Sequence, residues 1–183
     1  MRLALLYTKL MSQNIIPYKS ILPKIAANVY IATNAAVIGA VEIGEECGIW
    51  FSVTIRGDVE PIKIGARTNI QDNTVIHCTR GGHPANIGSG VTIGHGVILH
   101  ACTIHDNAFV GMGAIVMDDC VVESGAMLAA GAVLTPRKTI PTGQLWAGSP
   151  AKYFRDLTEA EIAFIPKSAA NYVKHVYEYL EEK

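Results

Sequence analysis

The segment Ile104–Leu134, IHDNAFVGMGAIVMDDCVVESGAMLAAGAVL, repeats an aliphatic residue at every sixth position. The repeated positions are Ile104, Val110, Val116, Val122, Leu128 and Leu134. The fifth place of the repeat is small in Ala108, Ala114, Cys120, Ala126 and Ala132. A period of six is neither helical nor that of a simple strand, and it suits a short strand followed by a corner. The segment therefore predicts a repeating β structure in which the aliphatic residue points inward.

The same period extends toward the N-terminus of the chain. It is seen at Ile31, Val37, Ile43, Ile49 and Ile55, at Ile64, Ile70 and Ile76, and at Ile87, Ile93 and Leu99. Glycine often follows the aliphatic residue, and it relaxes the backbone at a corner. Units of this kind cannot bury their apolar side alone, so they stack into a solenoid with a continuous core. We predict a mainly β fold, a parallel β-helix over residues 15–150.

Residues 151–183 are predicted to be a C-terminal helical segment that packs on the β-helix. Thr158 and Glu161 form the T-x-x-E pattern of a capping box at the helix start. Pro166 is expected to separate two helical segments. The nearby aromatic residues are expected to pack on the β-helix or on a neighbouring subunit; they are Tyr172, Tyr177 and Tyr179.

Composition narrows the function classes. Half of the 183 residues are hydrophobic, 17% are charged and the formal net charge is −1, so no nucleic-acid or anionic-membrane partner is expected. No apolar run reaches the roughly 18 residues of a membrane span. The four cysteines form no CxxC pair and are predicted to be buried thiols in a reducing cytoplasm. Residues 1–14 are predicted to be an extension, either non-native, with Met11 as the start, or disordered.

Three strands per coil would place every third repeat on one face of the solenoid. Counting from Ile31, face one contains Ile49, Ile70 and Ile93, face two contains Val37, Ile55, Ile76 and Leu99, and face three contains Ile43, Ile64, Ile87 and Ile104. Three steps between aliphatic positions are not six residues long, and all three fall between face two and face three. They are Ile55 to Ile64, Ile76 to Ile87 and Leu99 to Ile104. Both insertions, one after Ile55 and one after Ile76, are therefore expected to be loops stacked at one vertex.

The face assignment groups a set of polar residues. Arg56, His77 and His100 directly follow inward residues of face two, so they point outward in coils roughly 4.8 Å apart. Asp72 and His95 occupy matching places on face one. A homotrimer that packs face one against a neighbour's face two would unite the three histidines at each interface and place Arg56 beside a neighbour's Asp72. Three histidines with a position open to water suit zinc, and also iron(II) or cobalt.

A resemblance is carried by IRGD (Ile55–Asp58), TNIQDNTVIH (Thr68–His77), IGHGVILHACTI (Ile93–Ile104) and LWAGSPAKYFRDL (Leu145–Leu157). With these motifs the chain resembles the γ-class carbonic anhydrase family, left-handed β-helix proteins of the bacterial transferase hexapeptide-repeat superfamily. The left hand of the predicted β-helix comes from this resemblance. The resemblance implies a carbonate dehydratase in which metal-bound hydroxide converts carbon dioxide to bicarbonate.

The resemblance also implies roles for single residues. The implied zinc ligands are His77 and His100 of one subunit and His95 of the next. The implied interface ion-pair residues are Arg56, Asp58 and Asp72. The implied catalytic residues are Gln71, which orients bicarbonate or hydroxide, Asn69 of the same motif, and Tyr172, which resembles a tyrosine placed beside the metal in short-loop members.

The proton relay and the substrate stay open at this point. Val59 stands where an archaeal family pattern has Glu, and Glu60 follows it. Two residues are candidate proton shuttles: Glu60, and His83 in the loop at residues 80–86. One alternative is hydrolysis of acyl-CoA thioesters at the same metal site. A second is a hexapeptide acyltransferase that uses His83 as general base. A third is a non-catalytic, metal-binding trimer.

Overall fold

The computed structural model describes residues 14–182, a left-handed parallel β-helix of about seven turns with one C-terminal α-helix. The predicted fold class is confirmed. Of the predicted extension only Asn14 lies within the described residues, where its side-chain amide donates to the carbonyl of Ala32 at 2.8 Å. Asn14 is thereby tied to the first coil.

The strands are short and mostly two or three residues long. The first ten are β1 (Ile15–Ile16), β2 (Lys24–Ile25), β3 (Tyr30–Ile31), β4 (Ala36–Ile43), β5 (Gly48–Ile49), β6 (Thr54–Ile64), β7 (Asn69–Ile70), β8 (Val75–His77), β9 (Ala85–Ile87) and β10 (Thr92–Ile93). The next ten are β11 (Ile98–His100), β12 (Thr103–Ile104), β13 (Phe109–Val110), β14 (Ile115–Val116), β15 (Val121–Val122), β16 (Met127–Leu128), β17 (Val133–Leu134), β18 (Thr139–Ile140), β19 (Gln144–Ala147) and β20 (Lys152–Asp156). The helix is α1 (Glu159–Glu181).

The strands stack in parallel on three faces. Face one is formed by β3, β5, β7, β10, β13, β16 and β19, and β20 adds to its end in an antiparallel direction. Face two runs through β6, β8, β11, β14 and β17, and face three through β6, β9, β12, β15 and β18. The long strands β4 and β6 belong to both of these faces, since the first half of β6 pairs with β8 and the second half with β9.

The register agrees with the counting by six. Ile76 lies opposite Ile55 on one side and Leu99 on the other, and Ile93 lies opposite Ile70. All five side chains are fully buried in the central core. Burial of each aliphatic side chain contributes about 1.5–3 kcal/mol, so the stacked columns are the main source of stability.

The expectation that both insertions form loops is wrong for the first. The residues after Ile55 continue as β6, with a register shift against β4 just past Gly57. The neighbouring β4 turns the same corner, and β6 pairs with it up to Gly57 and again from Ile62 to Ile64. A side chain at Gly39 (φ +74°) would meet the carbonyl oxygen of Gly57 at 2.5 Å, so glycine permits this close approach. The second insertion is a loop, residues 78–84, between β8 and β9.

The C-terminal region differs from expectation in two ways. It begins with strand β20 rather than with helix, and the helix continues through Pro166. The predicted break at Pro166 is therefore wrong. Proline removes one backbone hydrogen bond, but Ile165, Ser168 and Ala169 around it are buried against the β-helix, and this packing holds both halves in line. The capping box of Thr158 and Glu161 is present as predicted.

Helix α1 lies along face one, against β3, β5, β7 and β10. Tyr172 and Tyr179 meet the ring of Trp50 edge-on, with centroids 5.6 and 5.3 Å apart, which confirms their predicted packing on the β-helix. Tyr177 donates to Glu46 at 2.6 Å. Among residues 14–182, no helix has the length and apolarity needed to cross a membrane.

The four cysteines are buried free thiols. Burial raises the pKa of Cys47 to about 11, against which the backbone groups of Thr68 and Arg67 act only weakly. A thiol with so high a pKa is not a nucleophile at neutral pH. These residues therefore act as small core side chains.

Candidate functional site

Two histidines meet on face two. His77 ends β8, His100 ends β11, and the two residues lie opposite each other in register with ring centroids 5.4 Å apart. Each follows a fully buried aliphatic residue, so alternation along the strand turns the imidazole outward. Both side chains stay partly buried, which limits their freedom.

The ring of His77 is held by Asp58, from the bulged part of β6. The distance from Nε2 to Asp58 Oδ1 is 3.0 Å, and Arg56 Nη1 donates to Asp58 Oδ2 at 2.6 Å. Burial alone would raise the pKa of Asp58, but the bonds from Arg56 and His77 outweigh it and lower that pKa. Asp58 is therefore a carboxylate that orients His77 within its own chain.

The ring of His100 is held by Asp118, which sequence analysis missed. Nδ1 lies 2.7 Å from Asp118 Oδ1, and the Thr79 hydroxyl donates to the other carboxylate oxygen. Burial opposes ionisation of Asp118, yet these bonds lower its pKa. A signal was available, because β14 pairs with β11 and Asp118 lies in the turn directly after β14.

His95 lies on face one, just after β10. Its Nδ1 is 2.7 Å from Asp72 Oδ2, and Asp72 Oδ1 accepts from the backbone N–H of Phe51 at 3.2 Å. Asp72 and Arg56 thus each have a partner in their own chain, and the predicted pairing between them across an interface stays a prediction.

Three further predicted residues gather beside His95. Gln71 is buried, and its Nε2 donates to Asn69 Oδ1 at 3.0 Å. Asn69 in turn donates to Thr92 Oγ1 at 3.0 Å. Tyr172 of α1 lines, together with Gln71 and His95, a groove of about 330 Å³. Burial and then the charge of Asp72 raise the pKa of Tyr172, so its hydroxyl is protonated at neutral pH.

The two candidate proton shuttles lie around the loop at residues 78–84. His83 is 70% exposed and pairs with Asp119. Glu60 Oε1 accepts from the backbone N–H of Gly81 at 3.0 Å. Neither hydrogen bond leads to the three predicted metal ligands, so their role in proton transfer stays a prediction.

The three predicted metal ligands do not come together within the described part of one chain. Within residues 14–182, no three His, Cys, Asp or Glu side chains converge on one point, because His95 is on a different face from His77 and His100. Each of the three imidazoles has one ring nitrogen against a carboxylate, and the opposite nitrogen is Nε2 in His95 and His100 but Nδ1 in His77. The arrangement of carboxylate, histidine and metal is the usual one for fixing the tautomer of a ligating histidine. The tautomers are assigned from these bonds.

Comparison with known proteins identifies the family. Residues 101–136 match the family Bacterial transferase hexapeptide (six repeats). The chain is 46% identical over 156 residues to Gamma carbonic anhydrase 2, mitochondrial, of Arabidopsis thaliana, covering 82% of the chain. It is 43% identical over 160 residues to Carbonic anhydrase of Geobacillus kaustophilus, covering 87% of each protein. The chain belongs to the γ-carbonic anhydrase family of hexapeptide-repeat proteins.

The extent of the match differs among these γ-carbonic anhydrase relatives. The chain spans 56% of the length of the Arabidopsis protein. A crystal structure of a hexapeptide transferase family protein from Anaplasma phagocytophilum superposes with a TM-score of 0.89 and 50% identity, covering 92% of this chain and 99% of that one. The resemblance drawn from the four motifs is confirmed.

Proposed function

We propose that this γ-carbonic anhydrase family member is a zinc-dependent carbonate dehydratase whose sites lie at the interfaces of a homotrimer. The observation that carries the proposal is the shared geometry of His77, His95 and His100. Each imidazole is held by a carboxylate through one nitrogen and offers the other. Relatives named carbonic anhydrases support carbon dioxide as the substrate.

In the proposed site His77 and His100 of one subunit and His95 of its neighbour hold the metal. Zinc held by these residues would make a water molecule acidic enough to supply a nucleophile near neutral pH. Asp58 and Asp118 keep the face-two rings in place, and Asp72 does the same for His95. These fixed rings keep the site from reorganising during the reaction.

Gln71 is proposed to orient the substrate. Its amide N–H₂ is bound to Asn69, so its carbonyl oxygen is the end that faces the groove beside His95. Tyr172 adds a protonated hydroxyl on the other wall. Glu60 and His83 are proposed to carry the released proton to solvent, because Glu60 accepts from the backbone N–H of Gly81 in the loop at residues 78–84 and His83 of the same loop is exposed.

A second candidate, a metal-dependent thioesterase, is supported by a separate observation. The groove beside His95 and Gln71 continues between apolar side chains that carbon dioxide does not need; these are Phe109, Met112, Met127 and Phe164. An acyl chain bound there would place its carbonyl near the same histidines. Activity on acyl-CoA thioesters, in protein that contains metal but does not hydrate carbon dioxide, would favour this candidate.

The test compares His95→Ala with His105→Ala. His105 is an exposed histidine beside face three and serves as the matched control. We expect about one zinc per protomer and measurable carbon dioxide hydration by stopped flow in the wild type and in His105→Ala. Both quantities should fall below about a tenth in His95→Ala, since a ligand is lost. Full zinc content in His95→Ala would contradict the shared site.

A further inference from the structure

We propose that Asp118 is a positioning residue that fixes the ring of His100 and couples it to the loop at residues 78–84. The part of this inference that concerns metal affinity rests on the proposed function. Asp118 is not among the residues that the family resemblance assigned. It is inferred from the hydrogen bonds around one carboxylate.

Both oxygens of Asp118 are in use. Oδ1 faces His100 Nδ1 at 2.7 Å, and Oδ2 accepts from the hydroxyl of Thr79. A carboxylate bound at both ends cannot rotate without losing one of the two bonds. The position of the Thr79 hydroxyl, in the loop, therefore affects the position of the oxygen that holds the His100 ring.

The consequence for His100 is a defined tautomer. Because Asp118 accepts from Nδ1–H, the proton stays on Nδ1 and Nε2 keeps a free lone pair. Without Asp118 the proton can move to Nε2 and the ring can turn over. Such outer partners of ligating histidines typically change metal affinity by about 10–100-fold.

One of the hydrogen bonds that hold the loop involves the acceptor of His100. Thr79 binds Asp118, the backbone N–H of Gly81 binds Glu60, and His83 pairs with Asp119. Asp119 is adjacent to Asp118 but does not hydrogen-bond to His100. The chain thus offers variants that loosen the loop with and without disturbing the acceptor of His100.

The first experiment measures the tautomer of His100 in metal-free protein by long-range ¹H–¹⁵N NMR. We expect a protonated Nδ1 in the wild type, in Asp118→Asn, whose amide oxygen still accepts, and in Asp119→Asn. Asp119 has φ +61°, a conformation that asparagine tolerates. Asp118→Ala should show a mixture of tautomers. An unchanged tautomer in Asp118→Ala would overturn the orienting role.

The second experiment measures zinc affinity by competition with a chelator, together with hydrogen exchange of residues 78–84. Asp118→Ala should bind zinc about 10–100-fold more weakly. Thr79→Val should speed exchange of the loop and weaken zinc binding by a few-fold. Asp119→Gly removes the acceptor of His83 at a position whose φ of +61° glycine adopts freely, and it should speed exchange alone. Equal zinc affinity in Thr79→Val and wild type, with a loosened loop, would overturn the coupling.

The design separates this inference from the proposed function. A wild type that binds no zinc would contradict the proposed function and the metal part of this inference, and the NMR result would still decide whether Asp118 orients His100. A wild type that binds zinc, with equal affinity in Asp118→Ala, would contradict this inference alone. If Asp118→Ala does not fold, Asp118→Leu, which keeps the shape of asparagine but has no acceptor, replaces it in both experiments, and Thr79→Val still tests the coupling.

Discussion

Gln71 is a buried polar side chain at the edge of the groove that contains His95 and Tyr172. Its bond to Asn69 fixes which end of the amide faces outward. Asn69 is itself buried and bonded to Thr92, so the pair forms a rigid support. A support of this kind is suited to orienting a small substrate without binding the metal.

Gln71→Leu should therefore separate catalysis from metal binding. The leucine keeps similar volume but removes the carbonyl oxygen, and we expect carbon dioxide hydration to fall by at least about tenfold. Zinc per protomer, measured by mass spectrometry of the same preparation, should stay at the wild-type level. Gln144→Leu, in strand β19, is the matched control and should hydrate carbon dioxide normally. Loss of zinc in Gln71→Leu would contradict a purely orienting role.

Positions at the site could be predicted from the sequence in strands and in turns, whereas some hydrogen bonds between coils could not. Counting by six placed His77 opposite His100 on strands and Asp72 beside His95 in turns, because the repeat continues through both. Asp118 stands two residues after the inward Val116, but its bond to His100 depends on side-chain directions that the repeat does not specify. Asp58 was expected at a subunit interface, and its contact with His77 in the same chain was likewise not predicted.

At the scale of elements, local signals decided some features and packing decided others. The capping box at Thr158 is a local pattern, and it formed as predicted. The break at Pro166 did not occur, because burial of Ile165 and its neighbours offsets the lost hydrogen bond. The bulge that the first insertion forms in β6 was also not predicted. Whether such an insertion pairs depends on whether the neighbouring strand, here β4, turns the same corner.

The start of α1 makes stability dependent on pH. Arg155 binds both carboxylate oxygens of Glu161, and Thr158 donates to it as well. The bond from Arg155, followed by those from Thr158, lowers the pKa of Glu161 to about 2 from 4.5. A lowered folded-state pKa means stabilisation that is present above about pH 4.5 and is lost as the pH falls toward about 2.

Glu161→Gln should therefore destabilise the protein near neutral pH and lose this effect in acid. Urea unfolding at a series of pH values would measure the difference in free energy of unfolding between wild type and variant, which should shrink steadily below about pH 4.5. Glu159→Gln removes the same charge from the same helical turn and serves as the control. A difference that is constant across this pH range would contradict the assigned role of the carboxylate.

At the scale of the whole molecule, two exposed apolar residues beside the histidine pair fit the proposed assembly through face two. Val75 and Ile98 lie opposite each other in register, two residues before His77 and His100, and are 40% and 41% exposed. The same alternation that turns the histidines outward turns these side chains outward. Because α1 packs on β3, β5, β7 and β10 of face one, a second subunit covering them would bring the turn after its β10, and hence its His95, to the histidine pair. Counting by six predicted which residues lie on each face, whereas the contact between faces of two subunits depends on a second chain.

Ile98→Lys tests whether this face joins subunits. Burying a lysine without a partner is costly, and the apolar contact of Ile98 is lost at each interface, so light scattering should report a monomer. Zinc per protomer should fall with it, because His95 of the neighbour is no longer present. Far-ultraviolet circular dichroism should be unchanged, since Ile98 is outside the core. Ile162→Lys, on the exposed side of α1, should stay a zinc-containing trimer. A trimeric, fully metallated Ile98→Lys would show that the metal is held without this contact, and the interface would then have to be sought on another face.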